Sequence, residues 1–337
     1  MDRSRVKTVN IVVLGFDGAL ATAITGVIDL LALAGVTYNR IMKQPIQPMF
    51  NVTLVGAEVG PIRCINGINL YCTTSFDQCY QWDNQPDAII VPTIGGALES
   101  VLAQNTDLLN MLKWGNRQGL VLGANCTGNF FLAEAGILNG KQATTHWGFK
   151  QTFEQAYPEV DLQAERLLTK DGNVLCAGGG LAWFDLGLVL IELYAGYDVA
   201  IQTAKAFVID YRRESQLSYS LTRFSPSHHD ALVTKVQHYL DIHFANVNQL
   251  DALATEFSVS KRTLIRRFKS ALATTPHAYL QNVRIEAAQK YLAETQLNID
   301  DVLLKTGYED MSAFRRVFKQ HTGLTPVEYR RRFARRL

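Results

Sequence analysis

Apolar positions follow two periods along this chain. From Val9 to about Asp210, short apolar runs alternate with stretches of helical spacing. The runs Val9–Leu14, Phe50–Val55, Ala88–Val91, Leu120–Ala124 and Val174–Ala177 predict strands, and 25–34, 98–118, 128–135, 148–157, 182–194 and 199–211 predict helices. Strand and helix in alternation imply an α/β domain of flavodoxin-like layout with a mostly parallel sheet. From Asp230 onward only the helical period remains, which predicts an all-α domain. Residues 212–229 have little period and many serines, and read as a linker between domains 1–211 and 230–337.

The helical domain contains one pattern written twice, fifty residues apart. Leu264, Arg266, Phe268, Lys269, Thr275, Pro276 and Tyr279 recur as Phe314, Arg316, Phe318, Lys319, Thr325, Pro326 and Tyr329. Ser260 and Asp310 stand at N-cap positions, and after each helix a Thr-Pro pair suits N-cap and N1 of the next. Each copy reads as a helix-turn-helix unit, a scaffold helix followed by a basic helix whose N-terminal side chains reach base edges. In the first copy Leu250, Leu253, Ala254 and Phe257 form the scaffold face. Ser260, Lys261, Arg262, Thr263 and Arg266 then face outward, with Leu264, Ile265 and Phe268 turned in. In the second, Ile299, Val302, Leu303 and Leu304 are the scaffold, Asp310, Met311, Ser312, Arg315 and Arg316 face outward, and Gly307-Tyr308 makes the turn. Residues 276–294 read as one long helix that sets the separation of the units.

This tandem resembles the AraC/XylS family of transcription regulators from about Leu232 to Phe333. The likeness is carried by the stretch from Ser260 to Lys269, Arg284-Ile-Glu-Ala-Ala288, Gly307-Tyr-Glu-Asp310, and Phe318 through Gly323-Leu-Thr-Pro326 to Arg330. It implies two recognition helices in successive major grooves. Ala273 departs from the pattern where glycine is usual, at a cost of roughly 1–2 kcal/mol if the left-handed backbone is kept. Leu303 departs where a small residue is usual, which bears on how the second unit docks.

Charge sharpens the division. Residues 1–228 carry 16 Lys and Arg against 20 Asp and Glu, a net of −4, whereas residues 229–337 carry 17 against 11, a net of +6. A basic helical repeat ending in Arg330-Arg-Arg332 is the footprint of a phosphate-binding surface. Five cysteines without paired spacing argue against structural zinc and suit a reducing cytoplasm. No apolar run is long enough to span a bilayer, and neither a cofactor, a metal nor a membrane partner is expected.

In an open α/β sheet, ligands bind outside the carboxyl ends of the strands. There Val121-Leu-Gly-Ala-Asn-Cys-Thr-Gly128 passes from strand to helix through one cysteine, the form of a nucleophile elbow. Such a turn sets a thiol beside backbone N–H groups that lower its pKa, with Gly95 and Gly96 as further donors. A small buried residue filling the turn is the equal alternative for Cys126. The region resembles the PfpI-like branch of the class I glutamine amidotransferase-like fold, as found at the N-terminus of GlxA-type AraC regulators. Ile90 through Gly96, Cys126-Thr-Gly128, Leu132 through Leu138, Ala143-Thr-Thr-His-Trp147, Asp185-Leu-Gly-Leu188 and Arg213-Glu-Ser-Gln216 carry that likeness in order. The sequence departs from the hydrolases of that branch. Thr127 follows the cysteine where they have histidine, and the loop Ala19–Thr25 offers no carboxylate.

His146 is the remaining candidate partner for Cys126 if the protein is an enzyme, although a packed histidine is the commoner case. Without turnover, the same crevice holds a small polar or zwitterionic molecule through Gly95, Gly96, Asn125, Cys126, Thr127, His146 and Trp147, with Trp183 as a further aromatic face. The expectation is therefore a cytoplasmic, dimeric regulator that binds double-stranded DNA and, in a degenerate sensor domain, an effector such as an amino acid, betaine or other nitrogenous metabolite. RNA polymerase is a candidate partner. The alternative is a thiol-dependent hydrolase or glyoxalase-type enzyme fused to a DNA-binding domain.

Overall fold

A computed structural model describes residues 8–211, 213–220, 228–247 and 249–335. The chain divides into a unit of residues Met1–Gln216 and one of Leu217–Leu337.

In the first unit, Val9–Leu14 pairs in parallel with Phe50–Gly56 on one side and Ala88–Val91 on the other. Outward from Ala88–Val91 lie Val121–Asn125 and Val174–Ala177, also parallel, then the antiparallel edge strand Leu168–Asp171. The two-residue strand Thr74–Ser75 forms the opposite edge. The central strands are buried on both faces, which is why they read as unbroken apolar runs rather than alternations. The five expected strands are present, and the parallel order brings the loops after Leu14, Val91, Asn125 and Ala177 to one edge.

The expected single helix over 98–118 is two, Leu98–Gln104 and Thr106–Arg117. Asn105 breaks it with φ −117° and ψ 48°, and its side-chain amide donates to the Val101 carbonyl at 2.7 Å. Short strands also escaped prediction. They include the hairpin Gly60–Arg63 with Asn69–Cys72 and the edge strand Leu168–Asp171, whose Leu-Thr-Lys-Asp has no apolar period.

The expected linker begins too early. Arg213, Ser215 and Gln216 belong to the first unit: Leu167 N–H donates to the Glu214 carbonyl at 3.0 Å, and Gln216 N–H to the Glu165 carbonyl at 3.1 Å. Of the rest, residues 221–227 lie outside the described residues. His228 Nε2 meets Gln237 Oε1 at 2.7 Å.

In the second unit the two basic helices run Lys261–Leu272 and Met311–Thr322, bounds that differ by fifty at both ends. Ser260 and Asp310 cap them as expected, accepting from the Thr263 and Ala313 amides. Thr275 caps the helix Pro276–Glu294, and Thr325 forms a capping box with Glu328. The long helix carries one face of each of two cores. Tyr279, Leu280 and Val283 pack with Leu264 and Phe268, whereas Ile285, Ala288 and Leu292 pack with Phe314 and Phe318. The two helix-turn-helix repeats are also joined directly. Gly307, at φ +77°, lies so close to the Ala245 carbonyl that a Cβ would meet its oxygen at 2.4 Å, and Arg284 donates to the Phe244 and Val247 carbonyls at 3.0 and 2.9 Å.

Ala273 keeps the left-handed cap, with φ 52°. Leu303 is buried in the second core rather than pushed out. Its neighbour Leu304, expected to face inward, is 65% exposed, because a seven-residue helix buries only one stripe.

Candidate ligand crevice and nucleic-acid interface

The elbow forms as the sequence predicts. Cys126 has φ 57°, a left-handed conformation that costs a non-glycine residue of order 1–3 kcal/mol unless its surroundings hold it. Here they do. The Cys126 carbonyl accepts from Asn129 Nδ2 and Thr145 Oγ1, both at 3.0 Å. Gly128 lies against the preceding loop so tightly that a Cβ would meet the Pro92 carbonyl at 2.4 Å. Thr127 donates its hydroxyl to the Ile94 carbonyl at 2.8 Å, and Asn125 Nδ2 donates to Thr93 Oγ1 at 2.7 Å.

That packing leaves little room for chemistry. Cys126 is 5% exposed, and burial pushes its thiol above the ordinary range, although the Thr127 amide and the Thr127 and Thr93 hydroxyls draw it part of the way back. The expected low-pKa thiolate is not what this environment favours. Nor do Gly95 and Gly96 offer free donors, because both amides are spent on the Gly18 carbonyl, at 2.8 and 3.2 Å.

His146 lies three residues beyond the two-residue strand Gln142–Ala143. It caps the 3-10 turn Trp147–Phe149, and its Nδ1 accepts from the Gly148 amide at 3.1 Å. Burial lowers its pKa, so the ring is neutral at pH 7 and carries its proton on Nε2. In that tautomer the only ring acceptor of His146 is already engaged. Among the described residues no hydrogen bond joins His146 to Cys126. Trp183, offered as an aromatic face, is instead core: it stacks on Phe184 at 3.7 Å and lies against Gly26.

The outward face of the first basic helix carries exposed Lys261, Arg262, Arg266 and Lys269, which line a shallow hollow together with Ile265. Ile265 is therefore half-exposed on the outward face rather than turned in. Lys261 leans back to Asp251 of the scaffold helix at 3.0 Å, and the Ser260 and Thr263 hydroxyls bond each other at 2.9 Å. In the second unit Ser312, Arg315 and Arg316 are exposed, but Met311 is half-buried against the second core and faces outward only in part. Arginine and lysine on a helix N-terminal face suit phosphate oxygens and the guanine edge.

Comparison with known proteins assigns both units. The pattern of the DJ-1/PfpI family matches residues 20–193, just over half of the chain. The chain belongs to the DJ-1/PfpI family. A helix-turn-helix domain matches residues 253–332, and the pair makes this DJ-1/PfpI protein a DNA-binding transcription regulator of the AraC type. It is 28% identical over 280 residues to the HTH-type transcriptional regulator CdhR of Pseudomonas aeruginosa, covering 82% of this chain and 80% of that protein. Isonitrile hydratase of Pseudomonas putida is 32% identical over 155 residues, 45% of this chain and 63% of that enzyme. In fold, the first unit is similar to Drosophila melanogaster DJ-1beta, with a TM-score of 0.51 at 20% identity, over 60% of this chain and 100% of that one.

Several residues that organise this DJ-1/PfpI unit went unremarked as site residues. Gln216 is 2% exposed, donates to the Thr145 and Ala164 carbonyls at 2.7 and 2.8 Å, and accepts from the Trp147 amide at 3.1 Å. It fixes the loop that carries His146 and Trp147. Arg213 meets the Asp185 carboxylate through both Nε and Nη2. The only sequence signal was that Asp185, Arg213 and Gln216 lie in segments shared with the family.

Proposed function

We propose that the DJ-1/PfpI unit is a sensor without turnover, and that a small metabolite bound there sets how the tandem helix-turn-helix unit engages its operator. The observation that carries this is the state of the elbow: a buried thiol of raised pKa, a His146 whose one acceptor nitrogen is taken by the Gly148 amide, and Thr127 beside the sulfur. A nucleophile needs a thiolate and a positioned base. A sensor needs only shape.

On this reading Asn125, Cys126 and Thr127 form the floor of the ligand crevice, and half-exposed His146 and Trp147 its accessible wall. A nitrogenous metabolite such as an amino acid or betaine suits apolar walls with a few polar groups. Double-stranded DNA is the macromolecular partner, read by Arg262, Thr263 and Arg266 in the first unit and Ser312, Arg315 and Arg316 in the second. Ser260, Lys261 and Met311 play supporting parts. A homodimer in the cytoplasm is the working assembly, with RNA polymerase as a candidate partner.

The enzyme reading retains one supporting observation, the left-handed backbone at Cys126, and one relative named as a hydratase. A thermal-shift screen of nitrogenous metabolites, followed by operator binding with and without each hit, separates the two. A ligand at 100 times its Kd stabilises by about 2.7 kcal/mol. A sensor's ligand comes off unchanged and alters operator affinity; consumption of the ligand, lost in Cys126→Ala, overturns the proposal.

A further inference from the structure

The chain passes from the first unit to the second between Gln216 and Leu217. Before that point the backbone is held in place: Ser215 Oγ donates to the Glu165 carbonyl at 2.9 Å, and the Gln216 N–H donates to the same oxygen. The Gln216 side chain fills the space over Gly178, where a Cβ would meet its Nε2 at 2.4 Å. It also joins the Thr145 and Ala164 carbonyls to the Trp147 amide. The position of Gln216 is thereby tied to the loop that forms the accessible wall of the crevice.

The residues that follow are anchored within the second unit. Leu217–Tyr219 is a 3-10 turn, closed by the Ser220 amide and hydroxyl, which both donate to the Leu217 carbonyl, at 3.1 and 2.8 Å. Ser218 is buried, and the turn packs against the second recognition helix, Met311–Thr322. Tyr219 reaches the last helix. Its hydroxyl accepts from Arg332 Nη2, its ring lies 4.9 Å from the carbon of that guanidinium, and its edge meets Phe333 with ring centroids 5.5 Å apart. Arg332 belongs to the basic run at 330–332. With one face covered by a ring and an N–H spent on a hydroxyl, it has less of its fork to offer a phosphate.

We propose that Gln216 to Tyr219 is a strap that withholds Arg332 from DNA while the crevice loop holds Gln216, and that a shift of that loop frees Tyr219 and returns the arginine to the phosphate backbone. Only the trigger rests on the sensor reading; the clamp on Arg332 lies wholly within the second unit. Leu217 and Ser218 alone separate the two anchors, and their closed turn leaves little slack. Docking of a tethered side chain depends on its effective concentration, which slack in the tether lowers. A single exposed cation–π contact contributes an equilibrium factor of about two to five. That is enough to tune DNA affinity and too little to abolish it.

The test is binding of the full-length protein to a mixed-sequence DNA duplex over a series of salt concentrations, with no metabolite present. Tyr219→Ala, at a position 43% exposed, tightens binding by about two- to fivefold and steepens the dependence of log Kd on log salt by about one, as for one added phosphate contact. In an Arg332→Ala background the same substitution changes neither quantity. Gln216→Met keeps the side-chain volume but drops the hydrogen bonds to the crevice loop, and it shifts affinity in the same direction without adding to Tyr219→Ala. Insertion of Gly-Gly between Gln216 and Leu217 slackens the strap without touching a buried side chain, and has the same effect. Unchanged or weaker binding by Tyr219→Ala, or an equal gain without Arg332, overturns the clamp; native binding by the insertion variant overturns its link to Gln216. Failure here is distinct from failure of the sensor reading. If the variants behave as stated while no metabolite alters operator binding, only the sensor reading is lost; if a metabolite alters operator binding equally in the native chain and in Tyr219→Ala, only the strap is lost.

Discussion

Arg267 of the first recognition helix turns its guanidinium to Asp230, with Nε 2.7 Å from Oδ2, and the same carboxylate caps the helix Ala231–His243 through the Leu232 and Val233 amides. One side chain thus fixes the start of the second unit's first long helix and orients a recognition helix. Arg267 is spent on this contact. Its neighbour Arg266 is exposed and free to meet DNA.

The Arg267 hydrogen bonds, followed by the Val233 and Leu232 amides, hold the Asp230 carboxyl at about 2. Its unfolded value is about 3.9. A depressed folded pKa stabilises above the unfolded pKa and ceases to do so as pH falls through the folded one. Asp230→Asn keeps a capping oxygen but loses the ion pair, so its melting temperature should fall below that of the native chain at pH 7. The gap should narrow below pH 4 and close only below pH 2. A constant gap from pH 7 to 2.5 in thermal denaturation of the full chain would show that charge plays no part. The pair is half-exposed, so solvent screening keeps the effect modest.

The left-handed caps make a second comparison. Ala273 and Gly323 hold equivalent positions at φ 52° and 73°. Replacing Ala273 by glycine should remove a backbone cost of roughly 1 kcal/mol and raise stability, while Gly323→Ala should lower it by a similar amount. Urea denaturation of the two variants decides this, and a destabilised Ala273→Gly would mean that glycine's entropy in the unfolded chain outweighs the strain.

Burial and the raised thiol pKa at Cys126 lead to a chemical expectation. Iodoacetamide should label Cys126 slowly in the native protein at pH 7, with the rate climbing only above the ordinary thiol range of about 8.5. Peptide mapping of the alkylated sites against pH measures it. Rapid modification of Cys126 at pH 7 would mark an activated nucleophile and favour the enzyme.

Much of this architecture was legible because it repeats or is punctuated. The central strands Val9–Leu14 and Ala88–Val91 are pure apolar runs, and the caps Ser260, Asp310, Thr275 and Thr325 sit where polar residues precede helical spacing. What stayed hidden depends on distance in sequence. Gln216 reaches 71 residues back to Thr145, and Arg267 reaches 37 residues back to Asp230. Neither periodicity nor propensity encodes such partners. The same holds for the amides of Gly95 and Gly96, which look free in sequence but meet Gly18 in the fold. Ile265 misled for another reason: an apolar residue in an amphipathic helix is assigned to the core by default, and here it borders the basic face.

That placement of Ile265 joins the prediction for DNA. Arg262 and Arg266 flank it in one hollow, while in the second unit Asp310 is engaged as a cap and Met311 is half-buried, so the first unit should supply more of the sequence discrimination. Arg262→Ala or Arg266→Ala should cost roughly 1–3 kcal/mol against the proper operator and relax one base position, as expected for loss of a bidentate contact. Ile265→Ala should act at one thymine, and replacing that thymine by deoxyuridine, which removes only the methyl group, should reproduce the loss without adding to it. Arg331→Ala, at an exposed position of the last helix, should instead weaken all duplexes alike and lower the salt slope by about one. Competition binding with single-base operator variants at two salt concentrations measures all of these. Unchanged discrimination in every first-unit variant, with loss confined to Arg315→Ala or Arg316→Ala, would reverse the assignment of the two units.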